Sequence, residues 1–469
     1  MMRTTLLTLF SAAVGLTGFT ASAQPLYHTT QDDGGRVTTL GGEGLDFTLG
    51  GALDHQGHLY IVGSTGSRWV RQTRCAPEDQ PCSRGFLLKL DVHGNPMWGR
   101  AISPSGRANG ASEVVYDAIR DRVIVAGAYR PPNGPGFQVN VFVAAYTTEG
   151  KPIWRKDFDH TDSRSDRATV TDIALGPDGS IHLVGDTGGD IAGTSHTGKN
   201  YNGAHNGWDV FVLKLTPKGE VAFSNIYGVP DPDPERVPTQ FNDYGKGIAV
   251  DAEGRIYVNG TTDGDLIKRR KRKGHRAFLL TLDPKGKRAK AHYRALDDIT
   301  PQHLTFDDDG HLYQLGLAQK GHRAIEGPLG AADLVLERIS RTNSPQWSVR
   351  FGTPRREYGA GLVVGPDGHL YVGGAAGLHD KPDGLLYSFT TEGKMRWRRT
   401  VRSKGSDEPT SVTASLGGVA LIGWTAGSLE GLPRAQGPAR YEPADGVILR
   451  YPLSGPEGLP AGNTVAAGE

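Results

Sequence analysis

Six consecutive cations, Lys268, Arg269, Arg270, Lys271, Arg272 and Lys273, are followed after one glycine by His275 and Arg276. No other stretch of the 469-residue chain concentrates charge so strongly. A run of this kind attracts polyanions, and in an exported protein the candidates are lipopolysaccharide phosphates, acidic polysaccharide or extracellular DNA without sequence-specific readout. The competing reading is a solvated, extended and mobile loop whose charge is met by neighbours such as Asp231, Asp233 and Glu235. Cys75 and Cys82 are the sole cysteines and enclose APEDQP. An even pair at short range in an exported chain reads as a disulfide, and the absence of a nearby histidine argues against a metal. Asp186, Asp190, His196 and His205 share one glycine-rich segment, Asp186–Trp208. Their types suit a cation, but their spacing matches no calcium loop and they are ordinary turn residues, as are those of TTDGD at Thr261–Asp265. There is no Gly-x-Ser-x-Gly elbow, no His-Glu-x-x-His and no phosphate loop. The sequence therefore nominates no catalytic residue, no metal ligand set and no cofactor.

The elements that must carry these residues repeat along the chain. Asp54–Gly63 (DHQGHLYIVG) recurs as Gly176–Gly185, Asp251–Gly260, Asp307–Gly316 and Gly365–Gly374, with looser copies ending at Gly127 and Gly423. An Asp-x-x-Gly step between alternating apolar runs is hairpin chemistry, because glycine supplies the positive φ of the turn. A second pattern places a glycine four residues before an aromatic, in runs ending at Trp98, Trp154, Phe223, Trp347 and Trp397. Asn343 replaces the glycine before Trp347, and the copy with Gly286 reaches Lys290 without an aromatic. These aromatics read as packing between neighbouring units, since each buries a large apolar area. Seven such units of four strands predict an all-β chain forming a single seven-bladed β-propeller. The last unit runs out after Asp445–Gly455 into PEGLPAGNTVAAGE, too rich in Pro and Gly for a strand. The expectation is that Pro25–Thr30 (PLYHTT) returns to supply the missing outer strand and close the ring.

The stretch Asp209–Thr262, with its strand–KL-x-x-x-G–aromatic strand and its D-x-G-x-G-I-A-V-D-x-x-G-x-x-Y-V-x-G-T-T, resembles the bacterial SBBP-type β-propeller repeat. The resemblance is weaker in the second and seventh units and spans most of residues 25–455. It implies the fold and an exported protein, and it brings no catalytic residue with it. The glycine-to-tryptophan element is also similar to quinoprotein repeats, but no cofactor-binding constellation accompanies it.

Residues 1–23 read as a signal peptide, with Arg3, an apolar core and the Ala21-Ser22-Ala23 cleavage site. The core is too short to span a bilayer well, so a periplasmic or secreted location is expected. Residues 24–455 are then the propeller and 456–469 a flexible tail. Without its one leader charge the chain holds 51 Lys plus Arg against 51 Asp plus Glu, so any electrostatic preference is local. In an up-and-down blade the long connections gather on one face around the channel mouth, where function concentrates. The expected role is a non-catalytic recognition or scaffold module for a protein or anionic surface glycan. The alternative is a propeller hydrolase or lyase with Asp, Glu or His of perturbed pKa converging at the channel mouth.

Overall fold

A computed structural model describes residues 26–32, 35–41, 45–66, 84–102, 107–131, 138–158, 167–195, 207–229, 242–296, 298–318, 330, 332–377, 381–403, 405–426 and 445–455. The leader, the tail, Cys75, Cys82, His196, His205, Asp231, Asp233 and Glu235 lie outside them. The described residues form strands and turns, and none of their elements is a helix long and apolar enough to cross a membrane.

The chain opens with β1 (Leu26–Asp32) and β2 (Gly35–Gly41). Blade 1 is β3 (Asp46–Leu53), β4 (Leu59–Thr65), β5 (Arg84–Leu90) and β6 (Pro96–Ala101). Blade 2 is β7 (Arg107–Asp117), β8 (Arg122–Arg130), β9 (Asn140–Thr147) and β10 (Pro152–Phe158). Blade 3 is β11 (Ala168–Leu175), β12 (Ile181–Thr187), β13 (Asp209–Leu215) and β14 (Val221–Tyr227). Blade 4 is β15 (Tyr244–Val250), β16 (Ile256–Asp265), β17 (Arg270–Leu282) and β18 (Lys290–Ala295). Blade 5 is β19 (Thr300–Phe306), β20 (Leu312–Ala318), β21 (Asp333–Ile339) and β22 (Pro345–Phe351). Blade 6 is β23 (Glu357–Val364), β24 (Leu370–Ala376), β25 (Asp383–Phe389) and β26 (Met395–Val401). Blade 7 joins β27 (Asp407–Ser415), β28 (Gly418–Thr425) and β29 (Asp445–Tyr451) to β2 and β1. Each blade's first strand lies against the first strands of both neighbours, so seven of them ring a central channel. The expected seven-bladed propeller is what the chain forms.

Closure differs in detail from the sequence expectation. The fourth strand of blade 7 is β2, paired with β29 from Arg36↔Arg450 to Leu40↔Gly446. The segment nominated for that place becomes β1, an added fifth strand outside β2. Gly35–Gly41 (GRVTTLG) forms this strand although its glycine ends and polar centre lack the apolar signature of one. Arg450 locks the seam: its guanidinium donates to the carbonyls of Asp91 (2.9 Å) and Gly57 (2.5 Å) in blade 1.

The aromatics do pack between blades. A Cβ on Gly150 would sit 2.8 Å from the Trp98 ring of the preceding blade, and Gly219, Gly286, Gly393 and Gly455 meet Trp154, Phe223, Trp347 and Trp397 in the same way. Each ring covers a turn whose glycine has positive φ, leaving no room for a side chain. The indoles of Trp98 and Trp347 also donate to Thr148 O (3.2 Å) and Thr391 O (3.1 Å) of the next blade. Asn343, with φ of 63°, faces β18, which offers the backbone of His292 instead of a ring, so a side chain fits there. At the seam Thr38 of β2 occupies the aromatic's place over Gly94. In blades 1, 4 and 5 the turn aspartate accepts from the tyrosine six residues on, Asp54 from Tyr60 (3.3 Å), Asp251 from Tyr257 (3.2 Å) and Asp307 from Tyr313 (2.8 Å).

Gly150→Ala is expected to lower unfolding free energy by about 2–4 kcal/mol, combining positive-φ strain with overpacking. Asn343→Gly should cost well under that, and equal losses for the two in urea titrations would refute the ring-on-glycine account. Truncation to Gly35 should lower the melting temperature modestly, whereas truncation through Gly41 should abolish the cooperative transition.

Candidate functional site

Two features of the strands decide what the long-loop face offers. The first strand of every blade carries a β-bulge, which bends it toward the channel and turns its early residues to the rim. Several of these strands also open on an acid that caps the loop stem arriving from the previous blade. Asp243 accepts from Val229 N (2.8 Å), Glu357 from Thr353 N (2.8 Å) and Asp407 from Ser403 N (2.5 Å). Each donor lies two residues beyond the fourth strand it leaves. Two of these acids also accept from a threonine of their own second strand, 2.5 Å for Asp243–Thr262 and 2.6 Å for Asp407–Thr425. Asp186, one of the loop residues the sequence nominated, accepts from Gly245 N of the next blade at 2.8 Å. It serves as a stitch between blades.

Burial makes these acids reluctant to ionise. It pushes Asp186 and Asp243 up to about 7, and Glu357 up to about 8 with the Asp333 carboxylate adding to the effect. Midway down the channel, Asp172 follows the bulge of β11 and accepts from Ile173 N and Ile248 N, both at 2.8 Å. Burial raises it to about 7 against those two hydrogen bonds. Glu113 holds the equivalent place on β7 and is driven well above the carboxylate range by burial and then by Asp172. His303 holds that place on β19, where burial lowers it to about 4. The channel therefore contains perturbed titratable groups that no motif announced, because their common feature is a register position beside a bulge.

The basic run is placed differently from the sequence expectation. It forms the tip and one arm of a β-hairpin in blade 4, with Leu266–Arg269 as the turn and Gly264↔Lys271 and Asp265↔Arg270 as register pairs. An extended, mobile loop is thereby corrected, because the opposing TTDGD supplies both cross-strand partners and acids. Buried Leu266 roots the turn, its N–H donating to Tyr293 Oη at 2.9 Å. Asp265 accepts from Lys268 N (3.0 Å), His275 pairs with Asp263, and Arg276 lies over the Tyr293 ring at 5.3 Å. Lys268 and Arg269 are exposed and make no ion pair among the described residues. Of the nominated Asp186–Trp208 segment, Asp186 and Asp190 are described and do not converge on a common ligand site. The nearest approach to a metal-ligand set among the described residues is Asp307, Asp309 and His311 on an opposite-face turn. There both Asp307 oxygens already accept hydrogen bonds, from the His311 backbone and ring and from Tyr313.

Fold and face together define an all-β, seven-bladed propeller with buried acids beneath its variable loops. Residues 239–268, which include β15, β16 and the start of the basic turn, match the family model described as SBBP, a β-propeller repeat. No curated protein is detectably similar in sequence. Similar folds among solved structures include a protein of unknown function from Dyadobacter fermentans, 14% identical over 72% of this chain and 93% of that one, TM-score 0.43. A polysaccharide lyase of family PL25, an ulvan lyase, is 10% identical over 85% and 95%, TM-score 0.47. The N11 neuraminidase-like protein of a flat-faced bat influenza virus is 11% identical over 97% and 94%, TM-score 0.40.

A pH dependence of stability follows. An acid whose pKa is raised by folding contributes stability that is complete below its unfolded value and is lost as pH rises through the folded one. His182 and His303, lowered to about 3 and about 4 by burial, act the other way but only below their unfolded value near 6.5. Between pH 6.5 and 8.5 the raised acids Asp172, Asp186, Asp243 and Glu357, joined by Glu113, are no longer opposed by these histidines, so stability should fall as pH rises. Urea midpoints that stay flat or climb across that window would contradict the assignment.

Proposed function

We propose that the protein is an exported, non-catalytic recognition module that holds an anionic surface polymer, an acidic glycan or lipopolysaccharide, on its long-loop face. The observation that carries this reading is the hairpin of blade 4, which extends β16 and β17 beyond the sheet and presents Lys268 and Arg269 to solvent without counter-charges. Asp263 and Asp265 engage the base of the hairpin and leave its tip cationic. A pre-formed hairpin loses less conformational entropy on binding than a free loop, so its charges act from a defined position. Loop stems capped by buried acids supply the same rigidity around the rest of the face.

A second reading, a glycan-cleaving enzyme, has one observation in its favour: the adjacent carboxyls of Glu113 and Asp172 in the channel, which resist being charged together. Against it, both Asp172 oxygens already accept main-chain N–H groups, and no nucleophile–base pair accompanies them among the described residues.

Retention on heparin and on lipopolysaccharide separates the readings. The protein should bind both, with affinity falling steeply above roughly 0.15 M salt, where the Debye length is about 8 Å. Replacing residues Lys268 through Lys273 with serine should weaken retention at least about tenfold without changing the melting temperature, since up to six screened charges are removed. Equal retention would reduce the run to solvated surface. Release of reducing ends from an acidic polysaccharide, lost in Glu113→Gln, would establish the enzyme instead.

A further inference from the structure

The rim of the channel on the long-loop face is chemically lopsided. Two residues before the bulge, the first strands of blades 6, 7 and 1 carry Tyr358, Glu408 and Phe47. These blades are consecutive around the ring, so the three positions form an arc. Trp424 lies directly opposite Glu408 in the β27–β28 pairing, on the same sheet face. Its ring meets Phe47 edge-on, with centroids 5.3 Å apart and planes at 89°. Tyr358 Oη reaches Pro409 O at 3.5 Å, which sets its ring beside Glu408. The corresponding residues of blades 2, 3, 4 and 5 are Gly110, Thr169, Tyr244 and Thr300, so outside the arc Tyr244 is the one bulky side chain at this level, and it already carries Lys246 over its ring.

Glu408 is half-buried and makes no hydrogen bond or ion pair among the described residues. Burial alone raises its pKa, with no cation to offset it. A partly desolvated carboxylate without a partner is costly, and the surrounding rings present π-faces that attract positive charge. The molecule makes this kind of contact itself elsewhere on the rim: in blade 4 the ammonium of Lys246 sits 5.0 Å from the centroid of Tyr244. We propose that Tyr358, Glu408, Phe47 and Trp424 form a binding site for an organic cation bearing a primary or quaternary ammonium group. The carboxylate supplies the counter-charge and the rings enclose the alkyl groups around nitrogen. A neutral saccharide would cover the rings but leave the carboxylate's charge unmet. The site is separate from the basic hairpin in blade 4 and is tested independently of it.

The full-length protein is titrated calorimetrically with choline and with its neutral isostere 3,3-dimethyl-1-butanol. Choline should bind, with the isostere at least about tenfold weaker, a difference of about 1.4 kcal/mol. Glu408→Gln should weaken choline by a similar factor and leave the melting temperature within a few degrees. Should that variant fail to fold, Phe47→Leu, which removes a π-face at similar volume, should weaken choline without affecting retention on heparin. No heat with choline at tens of millimolar, equal binding of the isostere, or wild-type affinity in folded variants would overturn the proposal. Binding of neutral oligosaccharides in place of choline would do the same.

Discussion

Everything in this molecule depends on seven sheets meeting edge to edge in a ring, and on one contact that recurs at the joints. An aromatic ring from one blade lies on the positive-φ glycine turn of the next, at Gly150, Gly219, Gly286, Gly393 and Gly455. The contact joins two requirements. The turn needs a residue that tolerates left-handed φ, and the ring needs a surface without a side chain. Where the ring is missing, at Lys290 of β18, the facing turn takes Asn343, whose side chain donates to the His292 carbonyl. Where the chain closes on itself, Thr38 replaces the ring over Gly94 and Arg450 adds hydrogen bonds across the seam. The closing strand is thus held by main-chain pairing, by these polar contacts and by the buried side chains of Val37 and Leu40.

The long-loop face is built on a different principle. Buried acids at the starts of first strands accept the N–H groups of loop stems, and burial drives their pKa values toward neutrality. Hydrogen bonds to main chain recover part of what burial takes from each carboxyl. The result is a set of fixed stems from which connections of very different length emerge. The basic hairpin is an instance: its turn is rooted by Leu266 and Tyr293 and its base is met by Asp263 and Asp265. Charge of one sign is pinned in the sheet while charge of the other stands clear of it. At the opposite side of the rim, Glu408 reverses the sign among aromatic rings. A ligand approaching this face meets a cationic blade 4 and an anionic, aromatic arc on blades 6, 7 and 1.

Turn chemistry and blade count were legible in the amino-acid sequence because each is a local, repeated pattern. The Asp-x-x-Gly turns and the glycine-to-aromatic spacing recur often enough that loss of one copy, as at Lys290, does not hide the unit. The packing role of Trp98 and Trp347 was legible for the same reason. What pairs across the ring was not. Gly35–Gly41 resembles a turn taken alone and becomes a strand because β29 presents it with an unpaired edge. The basic run resembles a loop taken alone and becomes a hairpin arm because residues only a few positions upstream fold back to pair with it.

The functional groups divide along the same line. The sequence by itself determined an all-β chain of seven repeated units, the concentration of cations at Lys268–Lys273, and the absence of any contiguous catalytic motif. The tertiary structure alone decided that Glu113, Asp172 and His303 share one level of a channel. It also decided that Tyr358, Glu408, Phe47 and Trp424, spread from one end of the chain to the other, share one arc of its rim. The physical reason is that a propeller's rim is assembled from one residue per blade, chosen by register and bulge position. Such residues are tens or hundreds of positions apart, and no local pattern links them until the ring is closed.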